Sequence, residues 1–174
     1  LFGYIESGGK ISNVGVVDSY FYGYYYVGGV CGYNKSGTIS NCYHIGVVSG
    51  SSYVGGVCGV NRGSESNCYN IGAVSGYNYV GGVCGSNVGG TISNCYSAGA
   101  VSGSNNVGGV IGFIKTGTIS KCFFDSKKCD KMFMQATLRR APVLMASTRR
   151  LSSILQATHT KSPMQANFCG LPVS

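Results

Sequence analysis

A six-residue block recurs through the first two thirds of the chain at an almost constant interval. The sequence Val-Gly-Gly-Val-Cys-Gly occupies residues 27–32, 54–59 and 80–85, and residues 107–112 repeat it with isoleucine in place of cysteine. Successive copies therefore begin 27, 26 and 27 residues apart. A period of this length is typical of solenoids and related arrays, in which each repeat buries its apolar side chains against its neighbours.

Two further blocks follow the first block in each repeat. The second reads Thr-Ile-Ser-Asn-Cys-Tyr at residues 38–43 and recurs in similar form at 64–69, 91–96 and 118–123, with a degenerate copy at 10–14. The third reads Gly-Val-Val-Ser-Gly at residues 46–50 and has counterparts at 72–76 and 99–103. Short blocks of β-branched and aromatic residues, bounded by glycine, asparagine or serine, are typical of strands between turns. We therefore predict an all-β fold, a parallel β-solenoid (β-helix) with three short strands in each coil of about 27 residues, over residues 1–125.

Equivalent residues of successive coils should lie one strand spacing apart, about 4.8 Å. Asparagine recurs in two columns, where it suits left-handed backbone and can form amide ladders. Two apolar columns are our core candidates, namely Ile39, Ile92 and Ile119 in one and Val48, Val74 and Val101 in the other. Glu65 replaces isoleucine in the first column. We expect its side chain at a strand edge or turned outward, because burying an unpaired carboxylate is costly.

The three blocks together resemble the GLUG motif repeat. The glycine–aliphatic–glycine core of that motif corresponds to Gly29-Val30-Cys31-Gly32 and to its counterparts in the later repeats. The resemblance covers residues 1–125. GLUG repeats occur in large secreted or surface proteins of bacteria, including adhesin-like proteins and some proteins of the IgA-peptidase type. The resemblance implies a surface location and a stalk, scaffold or adhesion role, and the motif brings no catalytic residues with it.

Seven of the nine cysteines fall into two columns: Cys31, Cys58 and Cys84, and Cys42, Cys68, Cys95 and Cys122. The sequence holds no Cys-x-x-Cys pair, so its spacing does not indicate a zinc motif. Val14 and Ile111 replace cysteine in these columns, which favours small apolar core residues over ligands. Disulfides between coils, or a metal, are the alternatives, although neighbouring parallel strands point their side chains the same way. We expect no metal and no cofactor.

Residues suited to catalysis are sparse. His44 shares a column with Asn70 and Ser97, and we interpret it as lying in a solvated turn. Solenoid hydrolases and lyases need clustered carboxylates or a carboxylate-bound metal. The acidic residues of the repeats are instead spread along the chain, at Glu6, Asp18, Glu65 and Asp125. We predict that this segment is not an enzyme.

Aromatic residues form one dense run, Tyr20-Phe21-Tyr22-Gly23-Tyr24-Tyr25-Tyr26. Exposed rings can stack on sugars or contact a partner protein. The candidate ligand-binding residues are therefore Tyr20, Tyr22, Tyr24, Tyr25 and Tyr26. The alternative is a bulged loop whose aromatic side chains cover the end of the solenoid.

The C-terminal part of the chain carries nearly all of the net charge of +8. Residues 1–125 hold five basic and four acidic residues, whereas residues 126–174 hold eight basic residues and one acidic residue. The period also stops near residue 126, so we predict a basic, low-order tail. We hypothesise that this tail is a frameshift product, because permitted codons allow another frame to read as an acidic segment rich in glycine and threonine. The nearly neutral repeats argue against nucleic acid as a partner, and no apolar run approaches the roughly 20 residues of a membrane span.

Together, the repeats and the resemblance predict a non-catalytic scaffold, spacer or adhesin segment of a secreted or cell-surface bacterial protein. A carbohydrate-binding module that uses the tyrosine run, and an accessory segment of a larger surface peptidase, are the alternatives. The expected partner is a protein or glycan on a host or neighbouring cell, and open strand edges at the solenoid ends allow self-association. Because the chain starts inside a repeat at Leu1, we expect a piece of a longer protein, without its signal peptide.

Overall fold

The computed structural model describes residues 1–129, and the strands within them fall into five successive coils. Coil 1 contains β1 (Phe2–Ile5), β2 (Lys10–Ser12) and β3 (Gly15–Gly28), and coil 2 contains β4 (Cys31–Asn34), β5 (Thr38–Ser40) and β6 (Tyr43–Gly55). Coil 3 contains β7 (Cys58–Asn61), β8 (Ser64–Ser66), β9 (Tyr69–Asn70), β10 (Ala73–Ser75) and β11 (Asn78–Gly81). Coil 4 contains β12 (Cys84–Ser93), β13 (Tyr96–Ser97), β14 (Val101–Ser102) and β15 (Asn105–Gly108). Coil 5 contains β16 (Ile111–Ser120) and β17 (Phe123–Phe124).

The strands of successive coils pair in parallel, so like residues lie over like residues. The register joins Cys31 to Cys58 and Cys58 to Cys84 on one face, and Val48 to Val74 on another. The paired strands form one sheet of eight strands and one of nine. The prediction of an all-β parallel solenoid with a repeat of about 27 residues is confirmed.

The third predicted strand is longer than its glycine boundaries indicated. In coil 2 it runs unbroken from Tyr43 to Gly55 and passes through two glycines. A Cβ on Gly46 would lie 2.4 Å from the carbonyl oxygen of Ser19, and one on Gly50 would lie 2.8 Å from that of Gly23. Glycine at these positions therefore permits the close approach of two coils and does not end the strand.

The interior of the solenoid contains two apolar clusters. The larger holds the isoleucine column and both cysteine columns, and the smaller holds the valines of β6, β10 and β11 with their counterparts. The predicted core residues lie in these clusters, with Ile119 half-buried at the end of its column. The N–H groups of Val30 and Cys31 both donate to the carbonyl oxygen of Val57, so the chain bends there. This bend lets two consecutive side chains both be buried.

Asparagine shapes the corners of the coil, as the columns predicted. Asn13, Asn41, Asn67 and Asn94 all adopt left-handed backbone, with φ between 53° and 58°. The second column is a buried amide ladder, in which Nδ2 of Asn34 donates to Oδ1 of Asn61 (2.9 Å) and Nδ2 of Asn61 donates to Oδ1 of Asn87 (3.0 Å). Ladders of this kind satisfy buried amides between coils and help to fix the register.

The interpretation of His44 as a residue of a solvated turn is wrong. His44 lies within β6 and is fully buried. Its Nδ1 is 2.9 Å from Oδ1 of Asn70 in the next coil, and its Nε2 is 3.1 Å from the hydroxyl oxygen of Ser19 in the previous one. Gly29 provides the space, because a Cβ there would lie 2.5 Å from the imidazole ring. Burial lowers the pKa of His44, so the neutral imidazole is favoured.

The expectation for Glu65 is also wrong. Its side chain does not turn outward: it lies in register with Ile39 and Ile92 inside the coil and is fully buried. Neither carboxyl oxygen has a hydrogen-bond partner within the described residues. The parallel register overrides the preference of a carboxylate for water, because turning this one residue outward would shift every neighbour to the opposite face.

Of the predicted tail, residues 126–174, the structure describes only residues 126–129. The frameshift hypothesis concerns residues that lie almost entirely outside the described part of the chain. Within residues 1–129 the structure contains no helix that is long and apolar enough to cross a membrane.

Candidate binding surface formed by the tyrosines

The five tyrosines predicted as ligand-binding residues all lie on β3 in the first coil. They are among the most exposed large side chains of the described residues, with exposed fractions from 46% for Tyr26 to 76% for Tyr22. β3 is a regular strand of 14 residues that pairs with β6. The alternative prediction of a bulged loop therefore differs from the structure, in which one register shift, between Val17 and Ser19, interrupts the pairing.

Strand geometry explains why the rings of this run are exposed. Successive side chains of a strand point to opposite faces, so Tyr20, Tyr22 and Tyr24 share the outer face. Tyr24 and Tyr25 then contact edge to face, with ring centroids 4.7 Å apart and an interplanar angle of 87°. Tyr25 also lies 6.2 Å from Tyr26, so the rings form a continuous aromatic patch at the N-terminal end of the solenoid.

The aromatic patch extends along the solenoid beyond the residues that the sequence singled out. Tyr26 stacks on Tyr53 (5.1 Å between centroids), Tyr53 stacks on Tyr79 (4.7 Å), and Tyr79 meets Phe113 edge to face (5.3 Å). A second arm runs from Tyr26 through Tyr33, which stacks on Tyr4 with ring centroids 5.2 Å apart. We call this set, together with Tyr20, Tyr22, Tyr24 and Tyr25, the tyrosine surface.

Three tyrosines of this surface hold an unusual backbone conformation. Tyr26, Tyr53 and Tyr79 have positive φ values of 55°, 59° and 55°. Left-handed backbone costs roughly 1–2 kcal/mol for a residue with a Cβ. Each of these tyrosines immediately precedes a Val-Gly-Gly sequence, where the coil bends, and the stacked rings contribute about 0.5–1.5 kcal/mol per pair to offset the strain.

Uncharged polar groups lie beside the rings. The register places Tyr22 next to Ser49 and Tyr25 next to Ser52 in coil 2. Asn78 and Asn105 follow Ser52 in the same column of later coils, and Nδ2 of Asn105 donates to Oδ1 of Asn78 at 2.9 Å. Nη1 of Arg62 lies 3.2 Å from the hydroxyl of Tyr33 and supplies a cation at the edge of the surface. Aromatic faces next to amides and hydroxyls suit a ligand with both apolar faces and hydroxyl groups.

The phenol of Tyr53 carries its proton at neutral pH. Partial burial, together with Tyr79 and Tyr26, raises the pKa of Tyr53 above its usual value of 10. A protonated phenol both donates and accepts a hydrogen bond. Tyr53 therefore offers both a ring and a hydroxyl group within the tyrosine surface.

A second tyrosine column has a structural role. Tyr43, Tyr69 and Tyr96 stack almost flat on one another, with both centroid distances 4.9 Å and interplanar angles of 4° and 6°. Burial raises the pKa of Tyr96 to about 12. The faces of these half-buried rings are covered by one another, which distinguishes them from the exposed rings of β3.

The cysteines predicted in columns line the interior. The seven cysteines of the two columns are free thiols; six of them are buried and Cys122 is half-buried. These thiols donate hydrogen bonds to carbonyl oxygens two residues away: Sγ of Cys58 is 3.1 Å from the carbonyl oxygen of Val60, and Sγ of Cys68 is 3.1 Å from that of Ser66. Two groups of these buried residues have metal-ligand chemistry, and both contain Glu65.

The comparisons with known proteins agree with this fold. Residues 76–102 match the family model of the GLUG motif. Among solved structures, the chain is similar to a putative immunoglobulin A1 protease from Bacteroides ovatus, with 28% sequence identity and a TM-score of 0.55. That similarity covers 71% of this chain and 48% of the Bacteroides ovatus chain, so the match spans about half of that protein's length. No curated protein matches the chain.

The matched segment is one coil of the solenoid, running from the end of β10 to β14. The coils on either side hold the same residues in register, as the pairing of Val80 with Val54 and Val107 shows. Residues 76–102 therefore carry a GLUG motif, and each similar unit of the chain forms one coil of a parallel β-solenoid.

Proposed function

We propose that this chain is a non-catalytic scaffold or spacer segment, of the adhesin type, in a secreted or cell-surface bacterial protein. The parallel pairing of strands from coil to coil over five coils is the observation that supports this function best. Each coil of a solenoid contacts only the coils next to it, so a solenoid becomes longer by adding repeats without a change in its core. The five coils span roughly 24 Å, at about 4.8 Å for each strand spacing.

The GLUG motif and the structure from Bacteroides ovatus, a putative immunoglobulin A1 protease, support a surface or secreted location. Immunoglobulin A is an extracellular protein, so a protease of that kind acts outside the cell. The match spans 48% of that chain, which fits a repeat segment attached to other domains. An accessory segment of a larger surface peptidase is thus a specific form of the scaffold function.

A coil deletion tests the spacer function. Removal of residues 58–83 joins Val57 to Cys84, which occupies the same position in the next coil. We expect the shortened chain to keep its β circular dichroism and to be shorter by about 4.8 Å in small-angle scattering. A circular permutation of the chain with an intact composition serves as the control. Loss of folded structure on deletion of one coil would contradict a modular spacer.

A hydrolysis assay tests the absence of catalysis. The full chain is incubated with immunoglobulin A1 and with a mixed peptide library, and the products are analysed by mass spectrometry. We expect no cleavage above that of a heat-denatured sample. Cleavage that copurifies with the folded chain through gel filtration would overturn the proposal.

The tyrosine surface supports a second candidate function, the binding of carbohydrate. Rings exposed by half or more, next to serine and asparagine side chains, resemble the surfaces on which sugar rings stack. A glycan array with the full chain tests this function, using Tyr22→Ala and Tyr24→Ala as loss-of-binding variants. Val17→Ala is a matched control, because Val17 is 52% exposed on the same strand but lies outside the tyrosine run. Binding that survives both tyrosine substitutions would exclude this surface as the glycan site.

A further inference from the structure

Glu65 is the one carboxylate buried within the described residues, and its position is the least explained feature of the core. It replaces an isoleucine in the column formed by Ile11, Ile39, Ile92 and Ile119. Both carboxyl oxygens are buried without a hydrogen-bond partner. An unpaired buried carboxyl group destabilises a fold, and such groups call for an explanation such as an ion or a catalytic role.

The carboxyl group of Glu65 lies between the two cysteine columns. On one side, a carboxyl oxygen and the sulfur atoms of Cys58 and Cys84 all lie within 4.8 Å of one another. On the other side, the same relation holds for the sulfur atoms of Cys68 and Cys95. All five residues are buried, so four thiols converge on one unpartnered carboxyl group in a dry interior.

The distribution of cysteine along the solenoid centres on Glu65. Both columns hold cysteine in coils 2, 3 and 4, and Glu65 lies in coil 3. In the terminal coils, Val14 replaces cysteine in one column and Ile111 replaces it in the other. An apolar residue is therefore accepted in these columns, but it occurs in the coils at the ends and not in those beside the buried carboxyl group.

The two sides of Glu65 differ in the residues that continue each column. The column of Cys68 and Cys95 has a further cysteine at each end, Cys42 and Cys122, whereas the column of Cys58 and Cys84 continues to Ile111. Thiolate sulfur with carboxylate oxygen is a ligand set suited to Zn²⁺, which binds Cys, His and Asp or Glu in tetrahedral sites.

We propose that Glu65, Cys68 and Cys95 form a buried binding site for one divalent thiophilic metal ion of the zinc class. The carboxylate and one thiolate balance the two positive charges of such an ion, and the ion gives the carboxyl group of Glu65 a partner. The thiol of Cys42, next to Cys68 in the column, supplies a further sulfur for a tetrahedral set. Because the site is closed by the coils around it, metal binding is coupled to folding, and the ion enters during folding.

Metal incorporation on refolding tests the proposal. The full chain is unfolded with a reductant and a chelator, then refolded with Zn²⁺ or Co²⁺ and separated from free ion by gel filtration. We expect one ion per chain by elemental analysis, and thiolate-to-cobalt charge-transfer absorption in the Co²⁺ form. Refolded chain that retains no ion would overturn the proposal.

Three variants identify the ligands while preserving the fold, because each introduced residue already occupies an equivalent position in another coil. Glu65→Ile copies Ile39 and Ile92, and Cys68→Val copies Val14. We expect both to lose the bound ion and the charge-transfer band, while circular dichroism shows that they fold. Cys58→Ile copies Ile111, and it is the matched control on the other side of Glu65, which should keep the ion. Full metal content in Glu65→Ile, or a loss in Cys58→Ile as large as that in Cys68→Val, would refute the assigned site.

Discussion

Replacement of Glu65 by isoleucine should stabilise the metal-free protein, and by an amount that depends on pH. The substitution restores the isoleucine column between Ile39 and Ile92, so the new side chain enters a space whose neighbours already pack isoleucine. It also removes two buried carboxyl oxygens that have no hydrogen-bond partner. Both effects act in the folded state and favour the variant.

The gain in the free energy of unfolding follows from these two effects at low pH. At higher pH, the proton that the buried Glu65 retains adds a third contribution. Relief of the unpartnered neutral carboxyl group contributes about 1–3 kcal/mol. The additional apolar atoms of isoleucine contribute about 1–1.5 kcal/mol, at roughly 0.8 kcal/mol for each buried CH₂. At pH 4.5 and below, the variant should therefore be more stable than the wild type by about 2–4 kcal/mol.

The pH dependence arises because burial raises the pKa of Glu65 well above its ordinary value of 4.5. Above pH 4.5 the unfolded chain releases the proton while the folded chain keeps it, so the folded wild type loses stability as pH rises. The slope approaches about 1.4 kcal/mol per pH unit until the raised pKa is reached. Between pH 4.5 and pH 6, the advantage of Glu65→Ile should grow by about 2 kcal/mol.

Urea unfolding at several pH values, with chelator and reductant present, measures this difference directly. The difference in the free energy of unfolding between wild type and Glu65→Ile at each pH cancels the contributions of all other titrating groups, because these groups are the same in both proteins. Glu65→Gln is the control, because it removes the ionisation but keeps a buried polar group, so it should lose the pH slope without gaining the full stability. Parallel stability curves for wild type and Glu65→Ile would refute the placement of an unpaired carboxyl group in the core.

Three further predictions concern other buried positions. The pKa of His44 is lower in the folded chain than in the unfolded chain, so the unfolded chain binds a proton first and the protein loses stability as the pH falls below 6.5. His44→Asn should reduce this loss, which urea unfolding at pH 5 and pH 7 measures. Asn61→Ala should lower the free energy of unfolding by about 2–3 kcal/mol, because it leaves buried amides of the ladder without partners. Asn41→Ala, in the exposed ladder, should lower it by about 1 kcal/mol. Equal losses in chemical unfolding would contradict the difference in burial. Gly56→Ala should abolish folding as judged by circular dichroism, because its Cβ would lie 2.2 Å from a backbone oxygen of the next coil, while Gly3→Ala, with no atom within 4 Å, should fold normally.

The architecture could be predicted from the sequence because its period is nearly constant. Blocks that recur every 26 or 27 residues can only be brought into contact one coil apart, and the register of Cys31, Cys58 and Cys84 follows from that spacing alone. The valine column and the buried asparagine ladder were predictable for the same reason. Patterns of this kind report which residues are neighbours, even without any information on the strand boundaries.

The burial of individual polar residues was less accessible to sequence reasoning. His44 has Asn70 and Ser97 as column partners, and these polar residues indicated solvent. The structure shows that the same column contains Val16 and Phe124, whose apolar side chains were the available signal for an interior position. The preference of imidazole and carboxyl groups for water is a property of single residues, and the collective register of the sheet outweighs it.

The tyrosine surface was predicted in part. The run on β3 was evident from its density, but Tyr53 and Tyr79 are isolated in the sequence. Both precede a Val-Gly-Gly sequence as Tyr26 does, so alignment of the repeats contained the information that joins them. The left-handed backbone at these tyrosines could not be predicted, because bulky residues rarely adopt it and the bend of the coil imposes it here.

The central claim, that like residues lie over like residues one coil apart, can be tested by nuclear Overhauser contacts between aromatic rings in the full chain. The account predicts direct contacts from Tyr43 to Tyr69 and from Tyr69 to Tyr96, whose ring centroids lie 4.9 Å apart in each pair. It predicts no direct contact from Tyr43 to Tyr96, which are two strand spacings, about 10 Å, apart. Contacts between Tyr43 and Tyr96 without those to Tyr69 would contradict the parallel stacking on which the fold and the proposed sites depend.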